Sequence, residues 1–187
     1  MVTPPPGVAL HKFTLRTTQG NRPALTSASM TDSASAPDHA SVAAHPPYVY
    51  LASIVVGWTL HLLVPVTFVP GGAGTPIGLA MIALAFAIFG LANRQFSAVG
   101  TTIPTNTPTS AIATRGPYRF SRNPIYVALS LLHLGIAFWV DSVWLLATLS
   151  ATFVFMNVGV VAREERYLET KFGEEYLRYK RSVRRWL

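Results

Sequence analysis

Between Asp38 and Arg94 the chain carries no Lys, Arg, Asp or Glu. A soluble domain devotes roughly a quarter of its residues to those four types, and this chain devotes 12%. A charge-free stretch of that length belongs in hydrocarbon. There the backbone N–H and C=O groups find no water, so the stretch has to be helical. The Gly/Pro breaker "PGGAGTP" divides it. Two apolar runs result, 48–69 and 76–92, and two more follow at 124–140 and 143–162. A spanning helix needs about 20 residues, within a range of roughly 17–25. The first and fourth runs meet this; the second and third meet it with help from flanking residues. The fold class predicted is all-α, an integral membrane protein with about four transmembrane helices.

The basic residues are sorted along this pattern. Lys12, Arg16 and Arg22 precede the first run, and Arg94, Arg115, Arg119 and Arg122 lie in the 93–123 loop. The other eight of the fifteen follow Ala162. None falls in the 70–76 turn or in the 141–142 turn, which carries Asp141 instead. All fifteen thus lie on one side of the proposed membrane. The positive-inside rule makes that side, with both termini, cytoplasmic. The net charge of +7 is read as membrane-flanking and not as a nucleic-acid surface.

Residues 1–46 are rich in Pro, Ser, Ala and Thr and lack apolar periodicity. They are expected to form a disordered tail preceding a membrane domain over 47–187. The tail has no long apolar core of the secretory kind, and its basic, acid-poor composition also fits a transit peptide. The chain has no Cys, which excludes disulfides, thiolate metal sites and a cysteine nucleophile. No His/Cys/Asp cluster calls for a metal.

Two short segments carry chemistry. "SRNPIY" (121–126) opens the third run, and "REERYLETKFGEEYLRYK" (163–180) follows the fourth. The second segment reads as two amphipathic helical pieces broken at Gly173, with apolar stripes at Tyr167, Leu168 and Phe172, then Tyr176, Leu177 and Val183. The third and fourth runs are joined by two residues, so they form a tight antiparallel hairpin. Folding it about its midpoint sets position 122 opposite 161, at one membrane edge. Asn157, Val161, Glu164 and Leu168 share a face at helical spacing, with Glu165 adjacent. Paired carboxylates, Arg122, Arg163 and Tyr126 then surround one spot.

Each of these residues has a plainer reading. Pro124 is a normal helix start with Asn123 as its cap. Arg122 can anchor to headgroups, and Glu164 and Glu165 can pair with Arg163 and Arg166 on a solvated face. Against this, five of the eight acidic residues lie in 164–175. A tail that only anchors to anionic lipid has little use for acids there. His61 and His133 lie inside spans, where hydrogen-bonded packing is as good a reading as function.

"TRGPYRFSRNPIY", a helical hairpin and "REERYLETKFGEEYLRYKRSV" together resemble the isoprenylcysteine carboxyl methyltransferase family. That family is part of a wider group of small membrane methyltransferases that includes phospholipid N-methyltransferases. The resemblance covers about residues 90–184. It implies S-adenosylmethionine as methyl donor, bound at the cytoplasmic end of the hairpin through the Arg-(His or Asn)-Pro-x-Tyr element and the acidic pair. Matched position by position, the cofactor-binding residues implied are Arg122, Asn123, Pro124, Tyr126, Glu164 and Glu165, with Arg122 and Tyr126 also catalytic. Asn123 stands where the eukaryotic enzymes have His, Ala128 where Gly is usual, and Arg184 where Pro is usual.

Methyl transfer asks the protein for position and exclusion of water. Carboxylates suit the donor's amino group or ribose hydroxyls, and an Arg suits a carboxylate by a bidentate contact. A carboxylate acceptor needs no general base, whereas an amine or thiol must first lose a proton. The reading therefore leans to a carboxylate on a lipid-like or prenylated acceptor drawn from the bilayer. A phospholipid, amine or thiol methyltransferase remains open, as does a non-enzymatic membrane protein that recruits a partner through its charged tail.

Overall fold

The computed structural model describes residues 45–98 and 112–187. The tail expected over 1–46 falls almost wholly outside them. Among the described residues the architecture is entirely helical. Helix α1 spans Pro46–Leu63, α2 Gly74–Ala98, α3 Pro124–Val140 and α4 Val143–Phe155. A π turn at Met156–Val161 carries α4 directly into α5, Ala162–Phe172, and α6 follows at Glu174–Ser182. Three helical stretches are long and apolar enough to cross a membrane: Pro46–Leu63, Gly74–Gln95 and the 30-residue Val143–Phe172. Helix α3 is apolar but shorter, with 17 residues, and it lies along α2.

The first apolar run is not one helix to residue 69. Helix α1 ends at Leu63, and residues 65–69 have no helical structure. Pro65 explains the break, because a residue preceding proline is driven out of the α region; Val64 has φ −139° and ψ 86°. The exposed backbone is satisfied by the α3–α4 turn. Asp141 adopts a left-handed conformation (φ 54°) and accepts hydrogen bonds from the amides of Phe68 and Val69, each 2.8 Å long. The Val143 amide donates to Val66 O at 3.1 Å, and Trp144 Nε1 donates to Val64 O at 2.7 Å. The acid in the otherwise uncharged turn is thus a cap for a neighbouring segment.

The second helix exceeds the expected 76–92 at both ends, because Asn93, Arg94 and Gln95 end the apolar run without breaking the helix. Helices α2 and α3 cross closely at two glycines. A Cβ on Gly78 would stand 2.5 Å from Gly135 O, and one on Gly135 would stand 2.9 Å from Gly78 O. Small residues at a crossing let two backbones approach in an apolar medium. Helix α1 packs on α4. Between α1, α3 and α4, buried His133 is 3.3 Å from Ser53 Oγ and 3.4 Å from Thr148 Oγ1. It is a hydrogen-bonded packing residue.

The break at Gly173 falls where the sequence placed it. Gly173 has φ 53° and ψ −127°, a conformation that costs other residues steric strain. It lets α6 fold back so that Tyr176 is buried. After α6 the last five residues return to the start of α3. The Arg122 amide donates to Arg184 O at 2.9 Å, and the Trp186 ring lies on Phe153, centroids 4.7 Å apart.

Candidate active site

The site lies where the start of α3, the start of α5, α6 and the C-terminal residues meet. Pro124 is buried at the first turn of α3, a position where its missing N–H costs nothing. Asn123, before it, has φ −127° and ψ 52°, outside the α region as a pre-proline residue must be. Its side chain does not cap α3. Asn123 Nδ2 donates instead to Arg185 O at 3.0 Å. Ser121 Oγ accepts from the Asn123 amide at 3.1 Å and donates to the same carbonyl at 3.2 Å. These bonds fix the backbone that carries Arg122.

One turn into α3, the Tyr126 hydroxyl donates to Glu164 Oε1 at 2.8 Å. Tyr126 packs on the cluster of Tyr50, Met156 and Val160, which floors the site on its apolar side. Glu165 is buried and takes three cations. Arg185 grips it with a fork, Nε to Oε1 at 3.0 Å and Nη2 to Oε2 at 2.6 Å. Arg122 Nη1 lies 3.1 Å from Oε1. Lys180 Nζ stands 4.0 Å from Oε2 and is ion-paired more closely to Glu169. The third nitrogen of Arg185, Nη1, donates to Asn157 Oδ1 at 3.2 Å.

Arg122 is held differently from Arg185. Its side chain is 9% exposed and that of Glu165 6%, yet Arg122 Nε and Nη1 have no hydrogen-bond acceptor. The Nη1–Oε1 pair is close enough for charge attraction but off the N–H direction, so the donor is not spent. Buried donors without acceptors are costly, and a guanidinium in this state fits a bound carboxylate or another planar anion. An unspent Arg beside a glutamate suits a ligand that carries both a carboxylate and an amino group or hydroxyls.

Tyrosines surround the cations. Burial pushes the Tyr176 hydroxyl up to about 12, with Glu165 raising it further and Arg122 opposing. Burial likewise raises Tyr179, whose hydroxyl donates to Tyr118 O at 2.8 Å. Both stay protonated near neutral pH; Tyr179 donates, and the Tyr176 oxygen accepts a hydrogen bond from the Arg122 guanidinium.

The structure brings Arg122, Asn123, Pro124, Tyr126, Glu164 and Glu165 together. It leaves Arg163 exposed. The register also differs from a simple folded hairpin, which would set Tyr126 opposite Asn157 and Arg122 opposite Val161. Tyr126 meets Glu164 and Arg122 meets Glu165, seven and four positions further along the chain; the π turn at Met156–Val161, which adds about one residue to the helix, accounts for only a small part of that difference. The sequence alone does not single out Arg185 or Tyr176 as site residues. The excess of aromatic residues in "EEYLRYK" was a usable signal for the second; nothing in the local pattern distinguishes Arg185 from Arg184. Among the described residues no group of three or more His, Cys, Asp or Glu could hold a metal ion.

Residues 74–175, more than half of the chain, match the profile of the phospholipid methyltransferase family. An uncharacterised protein of Haemophilus influenzae is 41% identical over 63 residues, which is 34% of this chain and the whole of that protein. The cobalt-zinc-cadmium resistance protein CzcN of Cupriavidus metallidurans is 35% identical over 71 residues, covering 37% of this chain and 33% of CzcN. No solved structure matches.

Proposed function

The chain belongs to the phospholipid methyltransferase family, among the membrane methyltransferases akin to the isoprenylcysteine carboxyl enzymes, and from that premise we propose that it transfers a methyl group from S-adenosylmethionine to a lipid-like acceptor at the cytoplasmic membrane face. The observation that carries this reading is the buried Arg122 guanidinium, with Nε and Nη1 unspent, beside the Tyr126–Glu164 pair.

The donor, when bound, supplies an electrophilic methyl on a sulfonium. Arg122 binds an anionic group, the carboxylate of donor or acceptor. Glu164, oriented by Tyr126, receives the donor's amino group or a ribose hydroxyl. Glu165 sets the position of Arg122. Asn123 and Pro124 shape the backbone beneath the donor, and Tyr126 walls the site and keeps water from it. The acceptor favoured is a carboxylate on a lipid or prenyl tail, entering along the apolar helices. With Tyr176 and Tyr179 held protonated, such an acceptor needs no base from them. The family match favours a second reading, a phospholipid amino headgroup, with Glu164 then taking the proton. In both readings the helices cross four times and both ends face the cytoplasm, as the sorting of basic residues supports.

Membranes containing the protein are given methyl-labelled donor, then extracted. Label in the lipid phase that alkali releases as methanol identifies a carboxyl ester; alkali-stable label on a headgroup identifies an amine. No transfer above that of a Glu164→Ala control would end the enzyme reading.

A further inference from the structure

The C-terminal residues approach the site with an economy that calls for a role. All three guanidinium nitrogens of Arg185 are spent: two on Glu165, at 3.0 and 2.6 Å, and one on Asn157 Oδ1 at 3.2 Å. The Arg185 carbonyl receives Ser121 Oγ and Asn123 Nδ2, and the Arg184 carbonyl receives the Arg122 amide. Trp186 anchors the segment on Phe153. The same few residues thus hold both sides of Arg122, its backbone and its carboxylate neighbour.

A buried carboxylate beside a lone arginine normally draws it into a two-pronged pair. Here that fork is made by Arg185, so Arg122 is left with an off-line contact to Glu165 at 3.1 Å and a hydrogen bond to the Tyr176 hydroxyl, while Nε and Nη1 stay unspent. We propose that Arg185 is a positioning residue which occupies Glu165 and thereby keeps Arg122 available to an anionic ligand. The C-terminal segment is then a working part of the site, and Arg185 acts on the ligand only through Glu165 and Arg122. The inference rests on Arg122 being the anion-binding group of the function proposed above. Lys180 does not replace Arg185, since it stands 4.0 Å from Glu165 and pairs more closely with Glu169.

The test is a mutant cycle on the full-length protein in detergent, titrated with S-adenosylhomocysteine by calorimetry. Arg185→Ala is expected to weaken binding about tenfold, the scale of a hydrogen bond to a charged group, because Arg122 turns onto Glu165. Adding Glu165→Gln removes the charge that captures Arg122, so the double variant should bind within about threefold of Glu165→Gln alone. Unchanged binding in Arg185→Ala, or no recovery in the double variant, overturns the proposal and makes the tail a cover only. A second readout needs no ligand: hydrogen exchange of the Arg122 Nε–H, followed by nitrogen-15 NMR, should slow in Arg185→Ala as the fork onto Glu165 forms. Exchange that stays unchanged or quickens also overturns it. Failure of the wild type to bind, with the exchange shift intact, would count against the methyl-donor reading and leave the control of Arg122 standing. Where Arg185→Ala is unstable, Arg185→Lys keeps the charge, lacks the fork and carries the same expectations.

Discussion

The Tyr126 hydroxyl and Glu164 Oε1, 38 residues apart in the chain, are joined by a 2.8 Å hydrogen bond that ties the start of α3 to the start of α5. Glu165, one residue on, points into a different set of partners, all cationic. Adjacent glutamates on one helix thus have separate work: one faces a hydroxyl and the site, the other holds arginines.

Tyr126→Phe should therefore leave the ion-pair cluster intact and disturb only Glu164. The carboxylate loses the donor that orients it, and affinity for S-adenosylhomocysteine should fall about tenfold. Calorimetry on the detergent-purified protein checks this. Equal affinity in Tyr126→Phe and wild type would separate the tyrosine from the donor site.

Arg122→Lys should fail as a substitute. An ammonium is a point charge and cannot make the planar two-pronged contact of a guanidinium. Methyl transfer in membranes at matched expression should drop on the order of 100-fold, as a misplacement of about 1 Å can cause. An Arg122 that only anchored to headgroups would tolerate Lys without loss, so full activity would remove it from the site.

Gly78→Ala should loosen the α2–α3 crossing. The added methyl would stand 2.5 Å from Gly135 O and from Trp139 N, both backbone atoms with nowhere to go. Overpacking of this kind costs about 1–3 kcal/mol. Gly90→Ala, with no neighbouring atom within 4 Å of its Cβ, is the control. Thermal unfolding in detergent should show a clear loss for the first and none for the second.

Orientation is checked by reporters. A fusion at Leu187 should behave as cytoplasmic, and one inserted in "GGAG" (71–74) should not. A C-terminus on the far side would overturn both the orientation and the access of the site to a cytoplasmic donor.

The sequence by itself determined the class of the fold, and for a physical reason that acts locally. Charge-free runs longer than a bilayer is thick leave helices as the only spanning structure, and Gly173 and the Asp141–Ser142 step mark breaks that need no knowledge of neighbours. The pairing of "SRNPIY" with the acidic pair was also legible, because a two-residue turn leaves a hairpin little choice. Only the tertiary structure decided the rest. Pro65 ends α1 early, but the partner for the freed amides, Asp141, lies more than 70 residues away. Tyr126 bonds to Glu164 and not to a residue level with Asn157, and the π turn at Met156–Val161 that interrupts the fourth run has no composition of its own. Arg163 and Arg185 are alike as letters in a basic tail. One is exposed and the other grips a buried glutamate, because the chain after Ser182 folds back onto residues 121–123, and that return is set by contacts across some 60 residues and not by any local pattern.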